Sequence, residues 1–269
     1  MRQMTYQPDL SKQRVLKGFL TRMMTNHTIE DFPLYTSFIM FMKEKINKAT
    51  EIFTRNKQYF DIFSDTYIID TYKLMLKKNY TKKQAIEAVT LMLNNRRDMT
   101  KNKTFINCFV KDETYHKDKS NRVISARNKT ARYSFLLMVD YVEKIFEELY
   151  KPYIIKGLKP EEIQRLVYSM SQNKMYHTVS DYTSFESSIN VNTQRNCEKY
   201  FIERLVSMSD KTQIFFDDHF TSMTTYKDDK NNKYVLRTVR NSGDVWTSLG
   251  NTLLNIHLTL FMLSYSPEI

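Results

Sequence analysis

The stretch that decides the fold runs from Arg240 to Asn255 and reads RNSGDVWTSLGNTLLN. The whole chain of 269 residues has only four glycines, and two of them lie in this stretch beside the single tryptophan. Ser242-Gly243 predicts a flexible turn at which the backbone can approach a ligand closely, because glycine has no Cβ. Thr247 and Asn251 follow four residues apart, so a helix would present both polar side chains from one face.

The composition is that of a basic, helix-rich globular protein. Hydrophobic residues make up 41% of the chain and charged residues 26%, with little Gly or Pro, which excludes a disordered chain. The net charge of +11 is concentrated between Arg96 and Arg132, where eleven Lys and Arg stand against four Asp and Glu, a local balance of +7. Such a cluster indicates phosphate-bearing partners, although a solvated basic surface would explain the same count.

Cysteine, histidine and hydropathy patterns exclude several classes. Cys108 and Cys197 are too few for a disulfide framework and predict buried thiols in a reducing compartment. The histidines have no ligand spacing with the cysteines, so no zinc site is predicted. The most apolar run, Leu253 to Leu263, is shorter than the roughly 20 residues that span a bilayer, and the N-terminus has no apolar signal segment. We expect no transmembrane segment.

Hydrophobic periodicity predicts a helix-rich α+β fold without a linker between domains. Thr81 and Gln84 form a capping-box pattern at one helix start. The expected helices are Phe32–Ile46, Ile68–Lys78, Thr81–Leu93, Ala131–Tyr150, one beginning at Pro160, and Phe185–Met208. The expected strands are Thr104–Val110, Arg122–Ala126, Met175–Ser180, Thr221–Tyr226 and Tyr234–Val239.

Two further segments have the chemistry of a phosphate-transfer site. In DYTSFESSI, Asp181 and Glu186 follow a strand-like run, and carboxylate oxygens are what Mg²⁺ prefers. Asp181 could instead cap the helix that follows it. In FVKDETYHKDKSNRVISARN, Lys111, Arg122 and Arg127 offer cations suited to phosphate, guanidinium groups in particular.

These three segments, in this order, resemble the fingertip motif and two palm motifs of RNA-dependent RNA polymerases from positive-strand, tombusvirus-like RNA viruses. The resemblance covers about Thr104 to the C-terminus, with Asn121 where many relatives have proline and Glu186 where they have Asp. It implies a right-hand polymerase with an incomplete palm. The implied parts are fingers at 1–174 with the fingertip motif at 109–128, palm at 175–190, a fingers insertion with a hairpin at 191–240, and a palm helix at 241–269.

The resemblance also implies roles for single residues. Asp181 would be catalytic and bind Mg²⁺, or Mn²⁺ in its place, because nucleotidyl transfer uses two such ions. A pair of Glu186 and Asn251 suits the ribose 2′-hydroxyl, which both donates and accepts hydrogen bonds. The remaining nucleotide-binding residues are expected to be Lys111, Arg122, Arg127, Ser242, Gly243 and Thr247.

An RNA-directed RNA polymerase would bind template RNA, the nascent strand and ribonucleoside triphosphates, in host cytoplasm at membrane-associated replication complexes. Its relatives also have a Gly-Asp-Asp hairpin beyond the Ser-Gly helix, and the sequence to Ile269 contains none. We therefore expect the isolated chain to be inactive or nearly so. The hairpin and thumb would lie in a missing C-terminal part or, as in some fungal RNA viruses, on a second chain. An exposed apolar edge of the last helix would suit either arrangement: Leu253, Leu254, Leu258 and Phe261.

Two other functions explain part of the sequence. A reverse transcriptase is the nearest other enzyme, but that class lacks the Ser-Gly helix with its Thr and Asn and needs no residue that senses the 2′-hydroxyl. A non-catalytic basic RNA-binding protein would explain the charge but not the ordered polar segments. Primer extension with ribonucleotides and with deoxyribonucleotides separates these functions, whereas salt dependence does not, since both would bind RNA less tightly in salt.

Overall fold

The computed structural model describes residues 32–97, 106–111, 122–155, 157–172, 185–220, 224–227, 233–236 and 240–265. Within these ranges the chain is α+β and rich in helix, as predicted. The helices are α1 Phe32–Thr54, α2 Asp65–Lys77, α3 Lys82–Arg97, α4 Lys129–Leu149, α5 Pro160–Ser171, α6 Phe185–Ser188, α7 Val191–Gln194, α8 Tyr200–Leu205, α9 Asp210–His219 and α10 Thr247–Tyr265. A 3₁₀ turn at Lys151–Tyr153 follows α4, and a π turn at Arg195–Lys199 joins α7 to α8.

The strands pair two by two. They are β1 Gln58–Phe60, β2 Ile106–Val110, β3 Val123–Arg127, β4 Val206–Met208, β5 Thr224–Lys227 and β6 Lys233–Leu236. β1 and β4 are parallel, whereas β2–β3 and β5–β6 are antiparallel hairpins. Both hairpins lie where the sequence predicts strands. The predicted strand at Met175–Ser180 lies outside the described residues.

Helix starts follow the local signals in the sequence. At α3 the Gln84 N–H donates to the Thr81 hydroxyl (3.2 Å) while the Thr81 N–H donates to Gln84 Oε1 (2.9 Å), which confirms the capping box. At α4 the Ala131 N–H donates to Asn128 Oδ1 at 2.9 Å. The α5 start has proline in its first turn, and the Lys159 N–H donates to the Glu162 carboxylate at 2.7 Å.

An aromatic cluster holds the start of α10 against α4 and α9. Phe135 of α4 lies with its ring centroid 5.4 Å from Phe215, 5.8 Å from Phe216 and 6.1 Å from Trp246. All four side chains are buried. Aromatic pairs of this geometry each add about 0.5–1.5 kcal/mol beyond their burial. The single tryptophan therefore anchors the residues just before α10 in the core.

The predicted apolar edge of α10 is buried, so the expectation that it is exposed was wrong. Leu253, Leu254 and Phe261 are all buried, and Leu258 is half-buried. The reason is α1, whose Phe38 ring lies 5.4 Å from the Phe261 ring and covers this face.

The prediction of one helix from Phe185 to Met208 was also wrong. Asn190 interrupts it, because its side-chain oxygen accepts the Thr193 N–H at 2.9 Å and starts α7 anew. At the other end the chain turns extended at Val206, since β4 finds a parallel partner in β1. Of the helices within the described ranges, none has both the length and the apolar content that a bilayer crossing requires.

Candidate functional site

The Ser242-Gly243 turn lies directly on strand β3 of the β2–β3 hairpin. The Gly243 N–H donates to the Ser125 carbonyl at 2.9 Å, and the Ser125 N–H donates to the Ser242 hydroxyl at 3.3 Å. A Cβ at position 243 would lie 2.9 Å from Ala126 Cβ and 3.0 Å from Ile124 Cγ2. The backbone approach therefore requires glycine, and the two predicted motifs touch through it.

Arg127, predicted to hold a triphosphate, is buried in an ion-pair cluster. Its Nε lies 2.8 Å from Asp244 Oδ2, and its guanidinium also donates to the His219 carbonyl. His219 Nε2 lies 3.0 Å from Asp244 Oδ1. The cluster ties β3, the end of α9 and the Ser-Gly turn together. The triphosphate contact of Arg127 stays a prediction, and in this structure its guanidinium faces Asp244.

Burial and neighbouring side chains together set the pKa values of the ionisable groups in this cluster. Burial alone would raise the pKa of Asp244, but His219 and Arg127 outweigh it and hold that pKa well below its usual range. Burial and then the nearby Arg127 lower the pKa of His219. His219 is therefore neutral at neutral pH, and its Nε2–H donates, because a carboxylate offers only acceptors.

Lys111 and Arg122 stand at the end of the same hairpin where the chain connects β2 to β3. The Lys111 N–H donates to the Arg122 carbonyl at 2.8 Å, which extends the β2–β3 ladder by one bond. Arg122 is exposed and Lys111 is half-buried. Of the three predicted phosphate ligands, these two are the ones that solvent reaches.

The predicted pair of Glu186 and Asn251 is in contact. Asn251 Nδ2 donates to Glu186 Oε1 at 3.4 Å, and the two residues come from α6 and the second turn of α10. The buried Oδ1 of Asn251 has no hydrogen-bond partner among the described residues. A buried acceptor of this kind is uncommon and points to a missing partner such as water or a ligand. Taken as whole residues, Glu186 and Asn251 are only partly buried.

Thr247 bonds to the backbone of its own chain, although its spacing predicts that its side chain and that of Asn251 lie on one face of the helix. It lies one helical turn before Asn251, but its hydroxyl donates to the Asn241 carbonyl, and its side chain is buried. That bond closes the turn ahead of α10. A ribose contact from Thr247 stays a prediction.

Sequence reasoning missed a buried ion pair next to Gly250, the residue that precedes Asn251. Arg240 Nη2 binds Glu198 Oε1, and both side chains are 2% exposed. Burial raises the pKa of Glu198, with Arg240 acting in the opposite direction. Neither residue has a spacing that suggests a pair. The signal that could have found it is Gly250, a glycine inside a helix, which leaves room for another group.

Carboxylates in the described part of the chain do not form a metal site. No group of three or more His, Cys, Asp or Glu side chains there could hold an ion. Asp140 of α4 is bound by two lysines, 2.5 Å from Lys78 and 2.7 Å from Lys144. Asp181, the expected metal ligand, lies outside the described residues. The described residues alone therefore do not fit a divalent ion.

The chain matches no family model and no curated protein. Function is therefore inferred from the residues of the site and their geometry.

Proposed function

We propose that this chain is part of a viral RNA-directed RNA polymerase of the right-hand type, with the fingers and part of the palm. The observation that carries the proposal is that its motif-like segments, far apart in sequence, meet in pairs. The Ser242-Gly243 turn lies on the fingertip strand β3, and Asn251 of α10 contacts Glu186 of α6. A basic surface protein would have no need to gather these polar groups.

Sugar selection is the chemistry that this geometry supports best. Glu186 offers carboxylate oxygens, and Asn251 offers an amide N–H₂ and an oxygen without a partner among the described residues. A ribose 2′-hydroxyl donates and accepts, so it can use both kinds of group. A hydrogen bond to a charged group contributes about 1.5–3 kcal/mol. We expect a preference for ribonucleotides of at least about tenfold.

Phosphate binding is proposed for half-buried Lys111 and exposed Arg122, which stand where the chain connects β2 to β3. Arg127 would support the site indirectly, because its ion pair with Asp244 holds the Ser-Gly turn on β3. The +11 charge of the chain suits RNA template and nascent strand as further partners. The proposed place of action is host cytoplasm, at membrane-associated replication complexes.

Mg²⁺ would supply the activation of the 3′-hydroxyl and the stabilisation of pyrophosphate when bound. Its proposed ligand is Asp181, since the described residues supply no set of carboxylates for it. The enzyme also needs a Gly-Asp-Asp element, and the 269 residues of this chain contain none. No part of the sugar-selection proposal depends on the ion.

The test is calorimetric binding of ATP and dATP to the chain. The wild-type protein should bind ATP at least about tenfold more tightly. Asn251→Ala should bring the two affinities within about twofold, because the amide is lost. Asn255→Ala is the matched control, since Asn255 is exposed one turn further along α10; it should keep the wild-type preference. Equal wild-type affinities would favour a basic RNA-binding protein, and tighter dATP binding would favour a reverse transcriptase.

A further inference from the structure

The buried pair of Arg240 and Glu198 lies between the two elements of the candidate site, the end of α6 that carries Glu186 and the part of α10 that carries Asn251. Both side chains are 2% exposed, and Glu198 belongs to the π turn between α7 and α8. A π turn takes in one extra residue, and such turns recur at functional sites. Glu198 Oε2 and two guanidinium nitrogens of Arg240 have no hydrogen-bond partner among the described residues. Stability alone does not explain such a pair, because apolar residues of similar volume often serve a core as well or better.

Gly250 makes room for this pair. A Cβ at position 250 would lie 2.0 Å from Arg240 Nη1 and 2.8 Å from Arg240 Cζ. The guanidinium therefore occupies the space that any side chain at this point of α10 would fill. Gly250 immediately precedes Asn251, so Arg240 fixes α10 at the residue next to the amide of the site.

Arg240 also holds the other half of the site. Its backbone N–H donates to the Ile189 carbonyl at 3.0 Å, and the Ile189 N–H donates to the Glu186 carbonyl at 3.2 Å. One residue thus contacts the turn that follows Glu186 through its backbone, and the helix turn that carries Asn251 through its side chain.

We propose that the Arg240–Glu198 pair is a positioning device that sets the Asn251 amide against the Glu186 carboxylate. Glu198 orients the guanidinium, the guanidinium sets the depth of α10 at Gly250, and the Arg240 backbone fixes the end of α6. Neither charged residue contacts the nucleotide. The consequence for sugar selection rests on the proposed function, whereas the positioning itself does not.

The test is the pair of side-chain amide signals of Asn251 in the ¹⁵N–¹H spectrum of the full chain, assigned by their loss in Asn251→Asp. Gly250→Ala places a methyl group against Arg240, and it should shift both signals and speed their hydrogen exchange several-fold. Ser248→Ala is the matched control: Ser248 lies exposed on the same helix, and its change to Ala also raises helix propensity, by less than Gly250→Ala does. Its Asn251 signals should stay at the wild-type positions. Unchanged Asn251 signals in Gly250→Ala would overturn the proposal.

A second variant removes both charges without leaving one unpaired. Glu198→Met combined with Arg240→Met replaces the pair by side chains of similar length, which buried cores tolerate. This double variant should fold and melt near the wild-type temperature, yet its Asn251 signals should be displaced as in Gly250→Ala. A folded double variant with wild-type Asn251 signals would show that the pair is only structural.

The same two variants, titrated with ATP and dATP, separate the positioning from the function. If sugar selection depends on the site, the wild-type preference should fall at least about threefold in both. A wild-type chain without any preference would refute the proposed function, while displaced Asn251 signals in the variants would still support the positioning role.

Discussion

At the scale of single residues, the structure divides the predicted phosphate-binding cations of the β2–β3 hairpin into two groups. Arg122 is exposed, whereas Arg127 is 4% exposed and paired with Asp244 at 2.8 Å. Side chains of the same chemistry therefore have two different environments on one hairpin, and we expect two different roles for them. Burial decides between them, and the sequence pattern does not reveal burial.

Substitution of the two arginines should separate these roles. Arg127→Gln leaves Asp244 buried without its cation and should lower the free energy of unfolding by about 3–5 kcal/mol. Arg122→Gln should change it by less than about 0.5 kcal/mol, because the residue is exposed, while it weakens ATP binding about tenfold. Urea unfolding and calorimetry measure the two quantities. Equal losses of stability in both variants would contradict the distinction between a buried structural Arg127 and an exposed Arg122.

Gly243 provides a second test at this scale. Gly243→Ala puts a Cβ 2.9 Å from Ala126 Cβ, against backbone-anchored atoms that do not move aside easily. The free energy of unfolding should fall by about 1–3 kcal/mol. Ser242→Ala, which removes only the 3.3 Å bond from the Ser125 N–H, should lower it by about 1 kcal/mol or less. If Gly243→Ala is as stable as wild type, the turn does not lie against β3.

At the scale of elements, α10 is both a core helix and the carrier of the site. Its Leu253 is fully buried, and its Phe261 packs on α1, while Leu263 near its end is 53% exposed. Leu253→Ala should lower the free energy of unfolding by about 2–5 kcal/mol, because it leaves a cavity. Leu263→Ala, the same change on the same helix, should stay within about 0.5 kcal/mol of wild type. Similar losses would show that the helix is not seated on α1.

The stability that the junction of β3, α9 and the Ser-Gly turn contributes should depend on pH. The pKa of Asp244 is held well below its usual range, so its ion pair with Arg127 and its hydrogen bond from His219 stabilise the fold fully above the unfolded pKa of about 3.9. That contribution is lost as the pH falls below about 4, toward the lower pKa of the folded state. Comparing urea unfolding of wild type and Asp244→Asn should therefore give a difference of about 3–5 kcal/mol at pH 7 that shrinks toward pH 3.

The exposed Asp210 at the start of α9 is the control for this experiment. Asp210→Asn should give a much smaller difference than Asp244→Asn at pH 7. A difference for Asp244→Asn that stays constant from pH 7 to pH 3 would contradict the depressed pKa.

Particular residues show how far the sequence alone can predict this fold. Local signals sufficed for the capping box at Thr81 and for the hairpin strands, because neighbouring residues determine both. The burial of Leu254 was missed, since an apolar stripe looks the same whether α1 covers it or not. The Glu198–Arg240 pair was missed because two charged residues 42 positions apart meet only through tertiary packing. The Glu186–Asn251 contact followed from the family resemblance and not from periodicity.

At the scale of the whole molecule, the proposed polymerase depends on parts that meet across the chain. The described residues include the Glu186–Asn251 contact, the Ser242-Gly243 turn on β3 and two cations that solvent reaches. Asp181, the proposed metal ligand, lies outside them, so catalysis has to be tested by activity. The chain should act together with an element that carries Gly-Asp-Asp, which these 269 residues lack.

The most direct test is primer extension on an RNA template by the chain supplied with that Gly-Asp-Asp element. Wild-type protein should extend the primer with ribonucleotides and at least about tenfold less efficiently with deoxyribonucleotides. Asp181→Asn should abolish extension while RNA binding is retained, and Asp210→Asn should leave both intact. Extension that survives Asp181→Asn, or equal use of the two sugars by wild type, would contradict the polymerase assignment.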